Sequence, residues 1–177
     1  MSRGRACAVI LLGVLALSGG APPGEPALPR SEAAAGAFRA RVAERIHWLD
    51  PALSPSEVER IAEAAHRYAA KYGLEVDLVL GVLEVESGAR IAARSPKGAM
   101  GLMQVMPHMA AALDMAGNYT TIESNVEAGC LILAHNIRRL GEEDGISAYF
   151  WGSDIRGVSY LNRVRAARAI YRSLLDS

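Results

Sequence analysis

The sequence lacks the features that define several classes of protein. It contains 2 cysteines in 177 residues, and Cys7 lies in the N-terminal apolar stretch, which leaves Cys130 alone in the rest of the chain. A single thiol cannot form an internal disulfide, so a hydrophobic core has to hold the fold together. Aromatic residues make up 6% of the chain, and 19 basic residues balance 19 acidic ones. This balance predicts no nucleic-acid partner and no attraction to an anionic membrane.

The chain also lacks an apolar run as long as the stretch of about 20 residues that crosses a bilayer. Arg3 and Arg5 precede an apolar stretch from Ala6 to Leu17, and small residues follow it. This order is typical of a secretory signal peptide, predicted here as residues 1–20 with cleavage near Gly20; an uncleaved anchor is the alternative. We therefore expect an exported protein with no stable membrane span after processing.

Two regions follow the predicted signal peptide. Residues 21–36 are rich in Pro, Ala and Gly without apolar periodicity, which predicts a linker. Residues 37–177 suffice for one hydrophobic core, and their apolar residues recur at helical spacing without sustained period-two alternation. The sequence therefore predicts a single all-α domain, irregular between Gly88 and Pro107. The predicted helices cover Phe38 to Leu49, Ser54 to Gly73, a third that begins near Asp77, Val126 to Leu140, and about Val158 to Leu175.

The segment LEVESG carries two glutamates, and helical geometry separates them. At about 100° per residue, Glu84 shares a stripe of polar or small residues with Asp77 and Gly81, which predicts a solvated surface charge. Glu86 falls on the opposite, apolar side of the helix. Burial there should raise the pKa of the Glu86 carboxyl, so that it can hold a proton near neutral pH and then donate it. The alternative for Glu86 is a buried acid with a structural role.

Neither a metal site nor a catalytic triad is predicted. The four histidines lie far apart in sequence and form no metal-ligand spacing. Ser87, at the helix end, would need a neighbouring base to act as a nucleophile. Met100, Met103, Met106 and Met109 recur every third residue. Flexible filling of an irregular core explains these methionines, and binding of Cu(I) by their thioethers is the alternative.

Two further features could belong to a binding groove. Gln104 is the polar residue of the methionine-rich run, and its amide either satisfies backbone groups or projects into a groove as donor and acceptor. Four of the few aromatic residues crowd together, and they either close the core or form a stacking wall for a ligand. These four are Tyr149, Phe150, Trp151 and Tyr160.

Five short segments occur in the order of a known family. The pair Glu86-Ser87, followed by the Gly-Leu-Met-Gln run, resembles the soluble-type lytic transglycosylases, whose catalytic domain has a goose-type lysozyme-like fold. Three later segments are similar to the remaining motifs, and the resemblance covers Leu53 to Leu175. The segments are ES at Glu86–Ser87, SPKGAMGLMQVMP at Ser95–Pro107, NVEAGCLIL at Asn125–Leu133, AY at Ala148–Tyr149 and YLNRV at Tyr160–Val164. One position departs from the family pattern, because Phe150 stands where the family usually has Asn.

The resemblance implies a periplasmic enzyme, without a cofactor, that cleaves the β-1,4 bond between N-acetylmuramic acid and N-acetylglucosamine in peptidoglycan glycan strands. Glu86 would be the only catalytic acid and base, and the Tyr149 hydroxyl would steady it. Assisted by the substrate's own N-acetyl group, the reaction would end in a 1,6-anhydro ring. The implied substrate-binding residues are Ser87, Ser95, Gln104, Met106 and Tyr160. The small size of the chain favours a local wall-opening role beside a secretion or motility apparatus.

Two other functions stay open. A hydrolytic lysozyme of the same fold would release a reducing end instead of the anhydro ring. A cell-wall-binding domain without efficient catalysis is the second alternative, since a fold does not determine a function, and Phe150 keeps this alternative open. Glu86, Ser87 and Gln104 weigh against it, because a binding domain does not need a proton-donating acid.

Overall fold

The described part of the chain is helical. A computed structural model describes residues 30–112 and 119–175, and within these two ranges it contains seven helices and no extended strand. Isolated antiparallel bridges join Met100 to Arg94 and to Val105. The helices are α1 (Arg30–Leu49), α2 (Pro55–Tyr72), α3 (Val76–Ser87), α4 (Pro107–Ala112), α5 (Ile122–Leu140), α6 (Glu142–Trp151) and α7 (Ser159–Leu175). The predicted all-α fold is confirmed.

Local sequence signals determine where α2 begins and where α2 and α3 end. The Ser54 hydroxyl accepts a hydrogen bond from the Glu57 amide, and the Glu57 carboxylate accepts one from the Ser54 amide. This reciprocal capping box starts α2. Gly73 and Gly88 end α2 and α3 with φ of 67° and 59°, a left-handed conformation that glycine adopts without strain. Glu86 therefore lies in the last turn of α3.

Helix α3 runs through the core and packs closely against α7. Its apolar residues from Leu78 to Leu83 are each at most 2% exposed. A methyl group at Gly81 would lie 3.0 Å from the Arg168 amide nitrogen, so the glycine permits the close approach of the two helices. The Asp77 carboxylate accepts hydrogen bonds from Nε of Arg168 at 3.1 Å and of Arg172 at 2.9 Å. The stripe that begins at Asp77 therefore faces α7.

Glu84 is not a solvated surface charge, so that prediction is wrong. Its carboxylate accepts two hydrogen bonds from Arg45 of α1, at 2.5 Å from Nη2 and 3.2 Å from Nε. The Glu84 side chain is 14% exposed. The periodicity of α3 could not reveal this ion pair, because its cationic partner lies on another helix. Glu84 therefore links α1 to α3.

Some predicted boundaries need correction, and others lie outside the described residues. The predicted signal peptide, 1–20, and most of the predicted linker precede residue 30. The end of that linker, from Arg30 to Gly36, belongs to α1, because its alanine-rich sequence has high helix propensity. Helices α4 and α6 are absent from the sequence prediction, since each is short. Among the described helices, none combines the length and apolar character needed to cross a membrane.

Helix α6 packs tightly on α5 because it contains a glycine at the contact. A methyl group at Gly145 would lie 2.6 Å from the Ile137 Cα atom of α5. Three acidic residues occupy the first turn of α6, where the positive end of the helix dipole favours negative charge. This packing places the last turn of α6, with Tyr149 and Phe150, beside the core.

Cys130 lies on the buried face of α5, as the helical spacing of Val126, Cys130, Leu133 and Ile137 predicts. It is 0% exposed, and burial raises the pKa of its thiol to about 12. The thiol therefore stays protonated at neutral pH and behaves as a small core residue.

Candidate active site

Glu86 is a partly buried acid with a specific hydrogen-bond partner. The Tyr160 hydroxyl of α7 donates to Glu86 Oε1 at 2.6 Å. Burial raises the pKa of the Glu86 carboxyl, while the Tyr160 hydrogen bond and the positive charge of Arg163 oppose that rise. Desolvation is the largest of the three effects, so Glu86 keeps its proton to higher pH than an exposed glutamate does. The direction of the pKa shift predicted from the helix face is confirmed.

Residues 100–105, in the segment that follows Glu86 in sequence, form a tight turn. Met100 and Val105 exchange two backbone hydrogen bonds, of 3.1 and 2.9 Å, across this turn. Gln104 within it has φ of 48°, a left-handed conformation that is uncommon for a residue with a side chain. Its side-chain amide donates to the carbonyls of Ala93 at 3.2 Å and Gly101 at 2.9 Å. The amide nitrogen of Gln104 therefore satisfies backbone groups, which is one of the two predicted roles.

Asn125 of α5 anchors this turn to the core. It is 0% exposed. Its Oδ1 atom accepts a hydrogen bond from the Met103 amide at 2.8 Å, and its Nδ2 donates to the carbonyls of Met100 and Tyr119, each at 2.9 Å. A methyl group at Gly101, where φ is 81°, would lie 2.3 Å from Asn125 Nδ2. Only glycine is compatible with both this backbone conformation and this close contact.

Met103 fills the space between the turn and α5. It is 0% exposed, and a methyl group at Gly129 of α5 would lie 2.5 Å from its sulfur atom. Core filling is therefore the role that the structure shows for this methionine, while Met100, Met106 and Met109 are partly exposed. Across residues 30–112 and 119–175, no three His, Cys, Asp or Glu side chains cluster in a way that could hold a metal ion.

Tyr149 of α6 also bonds to the turn. Its hydroxyl donates to the Met103 carbonyl at 2.8 Å. Burial and the negative charge of Glu86 raise the pKa of this hydroxyl well above its ordinary value. The resemblance implies that Tyr149 steadies Glu86, but in this structure its hydrogen bond goes to Met103. The hydroxyl that bonds to Glu86 is that of Tyr160, and the role of Tyr149 beside Glu86 stays a prediction.

The other predicted substrate-binding residues differ in accessibility. Ser87 is 1% exposed and its hydroxyl donates to the Leu83 carbonyl at 3.3 Å, and its role as a substrate contact stays a prediction. Ser95 is partly exposed, and its hydroxyl oxygen accepts a hydrogen bond from the Ala99 amide at 3.0 Å. Met106 is partly exposed as well. Tyr160 is 1% exposed, and its hydroxyl donates to Glu86 Oε1.

The predicted aromatic cluster is present around Tyr160. The Phe150 ring stacks on the Tyr160 ring, with centroids 5.0 Å apart and an angle of 15° between the planes. Trp151 meets Phe150 edge to face, with centroids 4.9 Å apart. The Arg163 guanidinium lies 5.6 Å from the Tyr160 ring centroid. Because Phe150 is 50% exposed, the cluster both closes the core and presents an aromatic surface.

The residues around Glu86 coincide with a known domain. The model of the transglycosylase SLT domain family matches residues 63–164, a range that contains Glu86, Asn125, Tyr149 and Tyr160. The chain belongs to this family. Its SLT domain therefore includes α3, the tight turn, α5, α6 and the first part of α7.

Relatives of the SLT domain include phage and bacterial proteins. A transglycosylase of Enterobacteria phage PRD1 is 36% identical over 87 residues, which is 49% of this chain and 32% of the phage protein. Membrane-bound lytic murein transglycosylase C of Histophilus somni strain 2336 is 38% identical over 63 residues, which is 32% of this chain and 17% of that protein. The chain therefore spans a minor part of the length of these relatives.

Two solved structures share the fold of the SLT domain. The lytic transglycosylase Slt of Pseudomonas aeruginosa, solved as an inactive mutant, has a TM-score of 0.55 and 20% identity over 64% of this chain and 24% of its own. The 70 kDa soluble lytic transglycosylase of Escherichia coli has a TM-score of 0.50 and 18% identity over 80% of this chain and 28% of its own. At these identities the similarity establishes the fold.

Sequence reasoning assigned no individual role to three residues of the SLT domain. Asn125 and Gly129 lie four residues apart on the buried face of α5. A polar residue and a glycine on an otherwise apolar helix face are a sequence signal of a close contact, and this signal was missed. Arg163 lies three residues after Tyr160 on α7, a spacing that puts both side chains on one face. Its charge acts on the Glu86 carboxyl.

Proposed function

We propose that this chain is a lytic transglycosylase, which cleaves the β-1,4 bond between N-acetylmuramic acid and N-acetylglucosamine in peptidoglycan and leaves a 1,6-anhydro ring. The observation that carries the proposal is the Glu86 carboxyl, whose pKa burial raises and which has a hydroxyl 2.6 Å away. A general acid must hold its proton at the working pH. Membership of the SLT family supports the substrate class, since one relative is named as a lytic murein transglycosylase.

In the first step Glu86 acts as the acid. Its protonated carboxyl donates to the glycosidic oxygen, the bond from that oxygen to the anomeric carbon breaks, and the oxygen of the substrate's N-acetyl group bonds to the same carbon. The negative charge left on Glu86 is stabilised by the Tyr160 hydrogen bond and by Arg163, the two effects that oppose the rise of its pKa. Both protonation states of Glu86 are therefore accessible within one cycle.

In the second step the same carboxylate acts as the base. It removes the proton of the sugar's 6-hydroxyl, and the 6-oxygen attacks the anomeric carbon and displaces the N-acetyl oxygen. The 1,6-anhydro ring closes and the proton returns to Glu86. One carboxyl thus completes the cycle, and no water is consumed.

A single carboxyl is sufficient because the substrate takes the role of the second. Most glycosidases use two carboxyl groups about 5–9.5 Å apart, and enzymes with substrate assistance are exceptions. Two other acids of α3 are held in ion pairs with arginines. Asp77 is bound by arginines of α7, and Glu84 is bound by an arginine of α1. Asp114, which the sequence places outside the motifs, lies outside the described residues.

We assign contacts with the glycan strand to the partly exposed residues of the turn region, Ser95, Gln104 and Met106. Export through residues 1–20 would bring the domain to peptidoglycan in the periplasm. The association with a secretion or motility apparatus stays a prediction from the size of the chain.

The mass of the soluble sugars released from purified peptidoglycan tests the proposed reaction. A lytic transglycosylase releases products one water lighter than those of hydrolysis, because the ring closes on the 6-oxygen. Products with a reducing end would favour the lysozyme-type hydrolase. Binding to peptidoglycan without release of sugars would favour a catalytically weak binding domain.

The pH profile of kcat/KM should decline on the alkaline side as Glu86 loses its proton. Because burial raises the folded-state pKa of this carboxyl, the decline should lie above about 4.3, the ordinary value of a glutamate. Activity should persist at pH values where an exposed glutamate is ionised, and it should fall as the pH rises through the folded-state pKa. A decline centred on the ordinary value would contradict the role of Glu86 as the acid.

Tyr149→Phe should lower activity without moving the alkaline limb of this profile. The variant loses the hydrogen bond to the Met103 carbonyl, which should cost about 1 kcal/mol of stability and loosen the turn. Tyr160→Phe is the matched variant, because it loses the hydroxyl that favours the ionised form of Glu86 and should move the limb to higher pH. Thermal unfolding and pH profiles of both variants check this difference. A shift of the limb in Tyr149→Phe alone would reverse the two assignments.

A further inference from the structure

Phe150 contacts the residue that bonds to the proposed acid, at the position where the family usually has Asn. Its ring stacks on Tyr160 with centroids 5.0 Å apart and planes 15° from parallel. This distance lies in the range of favourable aromatic pairs, about 4.5–7 Å. The Tyr160 hydroxyl in turn donates to Glu86 Oε1 at 2.6 Å. An unbroken chain of contacts therefore leads from Phe150 to the carboxyl.

We propose that Phe150 is a positioning residue, which holds the Tyr160 ring so that its hydroxyl points at Glu86 Oε1. This inference rests on the proposed function and adds a residue to the same site. The placement of a tyrosine ring sets where its hydroxyl oxygen lies and the plane that its O–H bond prefers, and a ring stacked on one face restricts movement of that side chain. An asparagine has no ring and cannot make this contact, so the restraint is a property of this chain.

Phe150 is itself held in place on α6. Trp151 packs edge to face against it, with centroids 4.9 Å apart and an angle of 88°. The preceding residue, Tyr149, bonds to the Met103 carbonyl of the tight turn. Two consecutive residues of α6 therefore position two parts of the site. Tyr149 holds the tight turn, and Phe150 holds Tyr160, whose hydroxyl donates to Glu86.

The alternative role for the half-exposed ring of Phe150 is direct stacking against a sugar. The two roles predict different measurements. A sugar contact acts through substrate binding and changes KM, whereas a positioning residue acts on Glu86 in the absence of substrate.

Phe150→Leu keeps an apolar side chain but removes the planar face, and Phe150→Tyr retains the ring. The pKa of Glu86 is measured without substrate by carbon-13 NMR of glutamate-labelled protein, and kcat and KM are measured separately. In Phe150→Leu the Tyr160 hydrogen bond should weaken, which should raise the pKa of Glu86. Because the Tyr160 hydroxyl is then misplaced, kcat should fall roughly tenfold with little change in KM. Phe150→Tyr should restore wild-type values. Ile170→Ala, which removes an exposed apolar side chain elsewhere on α7, is the control.

The same substitutions in a Tyr160→Phe background complete the test. If Phe150 acts through the Tyr160 hydroxyl, Phe150→Leu should have no further effect on the pKa of Glu86 or on kcat once that hydroxyl is absent. An unchanged pKa in Phe150→Leu, additive effects in the double variant, or a change in KM alone would each overturn the proposal. The NMR result decides this proposal even if the wild-type protein releases no sugar, an outcome that would refute the proposed function instead.

Discussion

Replacing Glu86 with glutamine should reduce the rate of glycan cleavage by at least about 100-fold, the magnitude typical of general acid–base catalysis. Glutamine keeps the shape of the side chain and can still accept the Tyr160 hydrogen bond, but it cannot transfer a proton. The release of soluble sugars from purified peptidoglycan measures the loss, and circular dichroism checks that the helices remain. A variant with near wild-type activity would refute Glu86 as the acid and base.

The same substitution should also remove a pH dependence of stability. Burial raises the folded-state pKa of Glu86 above its unfolded-state value, so protonation of this carboxyl stabilises the folded protein. This stabilisation is fully present below the unfolded-state pKa. It is lost as pH rises through the folded-state pKa. Glutamine carries no charge at any pH. Above the folded-state pKa, Glu86→Gln should therefore be at least as stable as the wild type in thermal unfolding.

Glu84→Gln is the matched control, and it should behave in the opposite way. Its carboxylate bonds twice to Arg45 and lies away from the proposed chemistry, so the substitution should cost about 1–2 kcal/mol of stability. Glycan cleavage by the folded variant should stay close to the wild-type rate. If Glu84→Gln lost activity and Glu86→Gln kept it, the assignment of the two glutamates would be wrong.

Gly101→Ala should destabilise the domain severely. An alanine at φ of 81° is strained, and its methyl group would lie 2.3 Å from Asn125 Nδ2. The Asn125 side chain would have to move, and it would leave the Met103 amide and the Tyr119 carbonyl without their hydrogen bonds from or to Asn125. The Met100 carbonyl would keep only its hydrogen bond from the Val105 amide. An unpaired buried group costs about 1–3 kcal/mol and the backbone strain about 1–2 kcal/mol, so we expect a loss of about 2–5 kcal/mol. Folded domains have about 5–15 kcal/mol of stability in total, and denaturant unfolding measures the loss.

Gly98→Ala separates the clash from the backbone strain. Gly98 has φ of 90°, but a methyl group there meets nothing within 4 Å. The alanine should therefore cost only the strain of a left-handed residue, about 1–2 kcal/mol. Equal losses in the two variants would show that Asn125 yields to the added methyl group and does not anchor the turn.

The sequence by itself determined the features that depend on neighbouring residues along the chain. Helical periodicity predicted the long helices, including the one from Ser54 to Gly73 that the structure shows as α2, because such patterns act within one or two turns. The same periodicity placed Glu86 on the apolar side of α3 and therefore predicted the direction of its pKa shift. Cys130 was predicted to be buried for the same reason.

Only the tertiary structure decided which side chains from different helices meet. It paired Glu84 with Arg45, it directed the Tyr149 hydroxyl to the Met103 carbonyl, and it brought Tyr160 to Glu86 across 74 residues of chain. Periodicity assigns a face to each residue of a helix, but it does not say which helix covers that face. Those pairings depend on the packing of α1, α6 and α7 against α3 and the turn, where the close contacts of small residues such as Gly81 and Gly101 set the distances between elements.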